Sequence, residues 1–298
     1  MARVKLLYNP KAGDEDHSPD ELISLIESKG YACEFASVKD SGWHKISNEV
    51  DFLIVAGGDG TVRKVIAKLL QRKLIDKLFP IAILPLGTAN NLAKTLEVDL
   101  PTEKAVDLWN LTNKRSFDVG KIYGLGRQKF MIEGLGYGVF PSLIKRMQKP
   151  GKKVGHTPEQ ELEIALEELR HIIQSYKPCY CRIEVDGADH SGEYLMVELM
   201  NSRSIGPNLQ IAPGGEVDDG EFEIVLAGAA HRDELLNYIE NKLAEKEIAP
   251  GLPIIKGRNI VLEWNGTDGH VDDAIIKVKK LQEIKIEVQK GVIEFLTG

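Results

Sequence analysis

Ala56-Gly57-Gly58-Asp59-Gly60-Thr61 decides how this chain is read. Before it, Asp51-Phe52-Leu53-Ile54-Val55 is an apolar run of strand length. After it, Val62-Arg63-Lys64-Val65-Ile66-Ala67-Lys68-Leu69-Leu70 carries its apolar residues at helical spacing. Strand, glycine loop and helix, in that order, turn backbone N–H groups and a helix N-terminus toward an anion such as phosphate. The glycines allow close approach, and Asp59 adds a negative charge that repels phosphate unless a cation lies between them. That requirement points to a magnesium nucleotide. A tight turn with a capping aspartate explains the same six residues, and one glycine-rich loop alone does not separate the readings.

A second loop does separate them. Phe79-Pro80-Ile81-Ala82-Ile83-Leu84 is another buried-strand run, and Pro85-Leu86-Gly87-Thr88-Ala89-Asn90-Asn91-Leu92-Ala93 follows it. Neighbouring parallel strands that each end in a polar loop build one crevice. Upstream, Val4–Tyr8 reads as a strand closed by Asn9-Pro10-Lys11-Ala12-Gly13. Ser18-Pro19-Asp20-Glu21 then starts a helix, with serine as N-cap, proline at the first helical position and glutamate completing a capping box. Tyr31–Ser37 is the next strand, and strands and helices alternate to about residue 112, which predicts a doubly wound α/β domain.

GGDGT followed by PLGTANNLA resembles the diacylglycerol kinase catalytic-domain family, bacterial lipid kinases related to sphingosine kinases and more distantly to NAD kinases and phosphofructokinases. The resemblance implies a nucleotide-binding α/β domain over 1–114 and a β-sandwich substrate domain over 115–298, whose last residues can return to the first domain, with a cleft between the two. It implies ATP and Mg2+ as cofactors. Nucleotide contacts fall on Asn9, Pro10, Lys11 and Gly13 of an NPxxG turn, and on Ser37, where relatives carry threonine. They continue through Gly57, Gly58, Asp59, Gly60 and Thr61 to Gly87, Thr88 and Asn90, with Asp59 engaging the nucleotide's magnesium.

From Ser116 onward the texture changes to short alternating runs: 116–123, 129–134, 180–187 and 193–200. Such runs with turn residues between them predict a sandwich, interrupted by one helix from Thr157-Pro158 to about Tyr176. In the resembled family, the Glu216-Val217-Asp218-Asp219-Gly220-Glu221 turn implies a structural magnesium held by the Asp219 side chain and the carbonyls of Glu216 and Glu221; a plain hairpin is the other reading. The family also carries a DGE tripeptide whose aspartate accepts the lipid hydroxyl's proton. Here His270-Val271-Asp272-Asp273-Ala274 fills that place, which makes Asp272 the expected base, with Asp268 a competing alignment. Three departures fall in the same crevice: Asn91 for a common aspartate, Arg63-Lys64 for Asn-Glu, and Ala274 for the glutamate.

Composition limits the rest. A net charge of -7 over 298 residues argues against a nucleic-acid binder, which needs clustered basic surface. No apolar run approaches the roughly 20 residues that span a bilayer, and the first residues lack a signal peptide's apolar core. A cytoplasmic protein is expected, with any membrane contact peripheral at the inner face. The basic run at 145–153 is either a solvated loop or a contact with anionic lipid worth up to about 1 kcal/mol per cation. Cys33, Cys179 and Cys181 form no CxxC and have no clustered histidines, so reduced thiols are expected. A homodimer stays open. The expected activity is transfer of the γ-phosphoryl of ATP to a lipid hydroxyl, diacylglycerol giving phosphatidic acid. A nucleotide-binding regulator with impaired catalysis is the alternative, and a soluble-substrate kinase such as NAD kinase the third.

Overall fold

The computed structural model describes residues 1–12, 18–72, 77–149, 157–206, 208–246 and 248–297. The chain divides into two compact units, Met1–Asp118 with Lys290–Gly298, and Val119–Gln289.

The first unit contains β1 (Arg3–Tyr8), α1 (Pro19–Ser28), β2 (Ala32–Ser37), β3 (Phe52–Gly57), α2 (Asp59–Leu69), β4 (Ile81–Pro85), α3 (Asn91–Thr95), α4 (Thr102–Leu108) and the start of β5 (Lys114–Tyr123). Ser18 caps α1 in the expected capping box with Glu21. The strands lie parallel in the order β2-β1-β3-β4. Because β2 lies on one side of β1 and β3 on the other, the topological switch point falls between β1 and β3. Alternate side chains of the strands, including Leu6, Ile54 and Leu84, pack with Leu22 and Ile26 of α1 and Ala105 and Val106 of α4. The intervening residues, Leu53, Val55 and Ile83, are equally buried and point to the opposite face. Register then decides where the loops meet: Tyr8 pairs with Ser37 and with Ala56, and Ala56 with Leu84, so the strands end level.

The second unit contains the end of β5, β6 (Phe130–Met131), β7 (Gly134–Gly138), α5 (Val139–Met147), α6 (Pro158–Ser175), β8 (Cys179–Val185), β9 (Ala188–Asp189), β10 (Gly192–Met200) and β11 (Phe222–Gly228). It continues with α7 (Arg232–Leu243), β12 (Ile254–Gly257), β13 (Asn259–Trp264), β14 (Asp268–Val271), β15 (Ala274–Lys277) and the first part of β16 (Glu283–Leu296). Its strand pairs are antiparallel, β15-β14-β7-β10-β8-β13-β16, with β11 also on β10. One face buries a core that includes Leu135, Val197, Leu199, Ile224, Leu262 and Val271. The other packs Leu195, Met196 and Met200 against Phe140 of α5, Leu169 of α6 and Leu235 of α7.

Two expectations are corrected here. The second unit has three α-helices among the described residues, where one was expected. α5 starts straight after Gly138 with no side-chain cap to announce it, and its Pro141 lies in the first helical turn, where proline breaks no hydrogen bond. α7 was hidden because it starts after His231 with no side-chain cap. The border also lies later than 114/115. Phe117 packs edge-on against Phe295 with ring centroids 5.3 Å apart, and the Asp118 carboxylate accepts the Gly291 N–H at 2.7 Å, so both belong with the tail in the first unit. Cys33, Cys179 and Cys181 are free thiols, and burial pushes Cys181 up to about 12, the behaviour of a packed rather than a reactive cysteine.

Candidate nucleotide site

The level strand ends of the first unit border an open cavity of about 370 Å3. Its walls include Asn9 and Lys11 after β1, Val38 and Lys39 after β2, Gly58, Gly60, Thr61 and Lys64 around the start of α2, and Gly87 and Thr88 after β4. The two glycine loops touch. A Cβ on Gly87 would stand 2.4 Å from the Gly58 Cα and 2.8 Å from Asn90 Oδ1, so no side chain fits where they meet. Asn9, after β1, ties its own loop to the Gly58 loop, its Nδ2 donating to Thr61 Oγ1 at 2.8 Å. Gly58, the N-cap of α2, offers no side chain to the helix's first N–H groups. Those groups and the positive end of the helix dipole suit an anion.

Charge follows the same logic. Lys11, Lys39 and Lys64 stand among the walls, and no carboxylate does among the described lining residues. Lys64 donates to the Val38 carbonyl and lies 5.4 Å from the centre of the Trp43 ring, which holds this exposed side chain at the cavity's edge. Its neighbour Arg63 is buried.

Asp59 does something the sequence did not disclose. Its Oδ2 accepts the Asn91 N–H at 2.9 Å and its Oδ1 the Leu92 N–H at 3.0 Å. Asn90, the N-cap residue of α3, has φ 51° and makes no capping bond; the acid of the neighbouring loop supplies it. Backbone N–H donors therefore hold the Asp59 carboxylate in place and partly offset its charge. Asp59→Ala should cost about 0.5–2 kcal/mol, the usual worth of a helix cap. The melting temperature should fall equally with and without Mg2+, as thermal denaturation will show.

Other residues expected at the nucleotide stand just behind the walls. Ser37 Oγ accepts the Lys39 N–H at 3.1 Å, and Asn90 holds its loop closed through the Gly87 N–H at 3.0 Å and the Pro85 carbonyl at 3.1 Å. Gly57 leaves room for Thr61, whose Oγ1 a Cβ would meet at 2.5 Å. Pro10 follows Asn9 in the first loop, and Gly13 lies outside the described residues. Lys39 and Val38 were missed, although the rule that ligands gather at the carboxyl ends beside a switch point covers them.

In the second unit, Asp272 occupies the turn between β14 and β15 with φ 52°. Its Oδ1 accepts three backbone N–H groups, from Ile132 at 3.1 Å, Glu133 at 2.8 Å and Gly134 at 3.3 Å. The competing Asp268 is committed to Lys145 and Lys277. At the 216–221 turn, Asp219 Oδ1 accepts the Glu221 N–H at 2.9 Å, while Lys256 Nζ lies 2.9 Å from Asp219 Oδ2 and 2.9 Å from Glu223 Oε1. Bonds to Glu223 and Asp219 hold the Lys256 ammonium's pKa above its ordinary value. Glu216 pairs with Arg203 and Glu221 with Arg258. The magnesium expected at Asp219 meets an ammonium already in place. Adding EDTA to the nucleotide-free protein should leave its melting temperature unchanged, whereas Lys256→Met should melt lower and regain stability with Mg2+.

The basic run is partly neutralised as well. Lys145 pairs with Asp268 and Arg146 with Glu168, Lys149 is exposed, and 150–153 lie outside the described residues. No helix among the described residues is long and apolar enough to cross a membrane.

Residues 3–122 match the model of the diacylglycerol kinase catalytic domain, and residues 152–275 that of the YegS C-terminal NAD kinase beta sandwich-like domain. Over residues 3–122 the chain thus carries a diacylglycerol kinase catalytic domain. Among similar proteins, the diacylglycerol kinase of Bacillus subtilis (strain 168) is 26% identical over 259 residues, 83% of this chain and 81% of that protein. The diacylglycerol kinase of Staphylococcus aureus (strain bovine RF122 / ET3-1) is 25% identical over 248 residues, 78% of this chain and 73% of that protein. A crystal structure of a diacylglycerol kinase from Bacillus anthracis str. Sterne shares the fold with TM-score 0.73 at 21% identity, covering 99% of this chain and 97% of that one. An NAD kinase from Archaeoglobus fulgidus, crystallised in complex with ATP, matches with TM-score 0.51 at 15% identity, covering 99% and 93%. The two-part architecture, an α/β domain and a sandwich-like domain, is thus present in this chain.

Proposed function

We propose that this protein transfers the γ-phosphoryl group of ATP to a lipid hydroxyl, diacylglycerol giving phosphatidic acid. The observation that carries the reading is the cavity at the β1, β3 and β4 ends, where Gly58 and Gly87 meet and three lysines and the α2 N-terminus gather positive charge. In this reading Asn9, Thr61 and Thr88 orient the nucleotide, and Lys11, Lys39 and Lys64 draw negative charge off its phosphates. Asp272 takes the proton of the hydroxyl as its oxygen bonds to the γ-phosphorus and the bond to the bridging oxygen breaks, releasing ADP. Positioning and charge supply the catalysis, since phosphoryl transfer asks for little covalent chemistry from the protein. Magnesium arriving with ATP supplies further charge neutralisation.

A γ-labelled ATP assay over diacylglycerol, ceramide, sphingosine and monoacylglycerol in mixed micelles tests this. Label is expected in phosphatidic acid; no labelled lipid with any of the four would overturn it. The regulator reading draws on Asn91, which offers Asp59 a backbone N–H and brings no carboxylate to the crevice, and on the exposed Ala274. It gains if ATP binds and no lipid is labelled.

A further inference from the structure

We propose that Glu198 and His270 form a buried pair that positions Asp272, acting through the backbone of its turn. The inference rests on the reading of Asp272 as the base of the lipid kinase. His270 on β14 is 1% exposed and Glu198 on β10 is 0% exposed. Strand β7 runs between them, and register sets Glu198, Gly136 and His270 in one row, Glu198 opposite Gly136 and Gly136 opposite His270. The two side chains reach across that strand because Gly136 has none. A Cβ there would stand 2.0 Å from Glu198 Oε2. The glycine-rich segment from Gly134 to Gly138 thereby has a purpose: it opens the passage at Gly136, and at Gly134 it gives the Asp272 carboxylate an N–H and its backbone N–H a carbonyl, the latter at 2.7 Å.

The imidazole is held at both ends. Its Nε2 lies 3.0 and 2.9 Å from the two Glu198 oxygens, and its Nδ1 lies 2.7 Å from the Asp272 carbonyl oxygen. A carbonyl only accepts, so Nδ1 carries a hydrogen, and the second proton is shared between Nε2 and the carboxylate. Wherever that proton sits, the pair is neutral overall, which is what full burial demands. Burial alone would lower the imidazole's pKa, but Glu198 and the Asp272 carbonyl outweigh it and hold it above its usual value; burial pushes Glu198 up. The ionic neighbours on the packed elements, Lys145 of α5 and Asp268 of β14, are paired with each other. Asp272 has φ 52°, a conformation costly for a side-chain-bearing residue, and it is fixed by its own N–H, its carboxylate and, through His270, its carbonyl.

Three variants test the proposal. Glu198→Met with His270→Leu removes both partners, so no charge is left buried alone and the fold is kept. Its kcat for lipid phosphorylation should fall about 100-fold, the scale of a base displaced by about an ångström, while KM for ATP stays as in the wild type. Glu198→Met with His270→Asn likewise leaves no charge buried alone, keeps a donor near the Nδ1 position and should recover most of the lost kcat. Asp272→Asn is the reference. If it loses kcat while Glu198→Met with His270→Leu keeps it, or if Glu198→Met with His270→Asn is as slow as Glu198→Met with His270→Leu, the pair has no positioning role and the base stands. If Asp272→Asn is fully active, the kinase reading of Asp272 fails first.

Discussion

Asp272→Asn is expected to lower kcat by about 10²–10⁴-fold, the usual contribution of a positioned general base, and to leave the Kd for ATP unchanged. The substitution is chosen because it should preserve the turn. Asparagine keeps an Oδ1 that can accept from Ile132, Glu133 and Gly134, and it is among the residues that best tolerate φ near 52°. What it loses is the capacity to take a proton. Initial rates of phosphatidic acid formation, with ATP binding by calorimetry alongside, separate these effects. A variant that turns over like the wild type would remove Asp272 from the chemistry.

Gly87→Ala should weaken ATP binding about 10- to 100-fold. The added methyl meets the Gly58 Cα at 2.4 Å and Asn90 Oδ1 at 2.8 Å, neither of which can yield without moving a loop. Overpacking of this kind costs about 1–3 kcal/mol, and about 1.4 kcal/mol is a factor of ten in Kd. The strain falls on the two loops that wall the cavity, so binding should suffer before the fold does. Gly58→Ala, with its Cβ 2.9 Å from the Gly87 Cα, should behave alike, whereas Gly60→Ala meets only the Arg63 side chain at 3.5 Å and should cost less. Far-UV circular dichroism and the ATP Kd of each variant check this; wild-type affinity in Gly87→Ala would show that the contact of the two loops does not shape the site.

What could be read from the chain was local. The Ser18–Glu21 capping box, the strand runs before Gly57 and Pro85, and the two glycine loops each declare themselves within a few residues, and the structure sets them as expected. What was hidden depends on partners far along the chain. The capping role of Asp59 was hidden because its N–H donors, Asn91 and Leu92, stand more than 30 residues away on another loop. Lys256 likewise reaches Asp219 only once β12 pairs with β11, so that ion pair was not legible in the sequence. His270 and Glu198 are 72 residues apart and meet through the register of three strands, which no short-range pattern encodes. The aromatic contact of Phe117 with Phe295 is longer still in sequence, and it moves the unit border beyond residue 114.

The most direct test is calorimetric titration of the wild-type protein with ATP, ADP, AMP and adenosine at two salt concentrations. If the cavity grips a triphosphate through Lys11, Lys39, Lys64 and the start of α2, affinity falls with each phosphate removed, and ATP binding weakens as salt screens the lysines. Adenosine binding as tightly as ATP, or ATP affinity indifferent to salt, would contradict it.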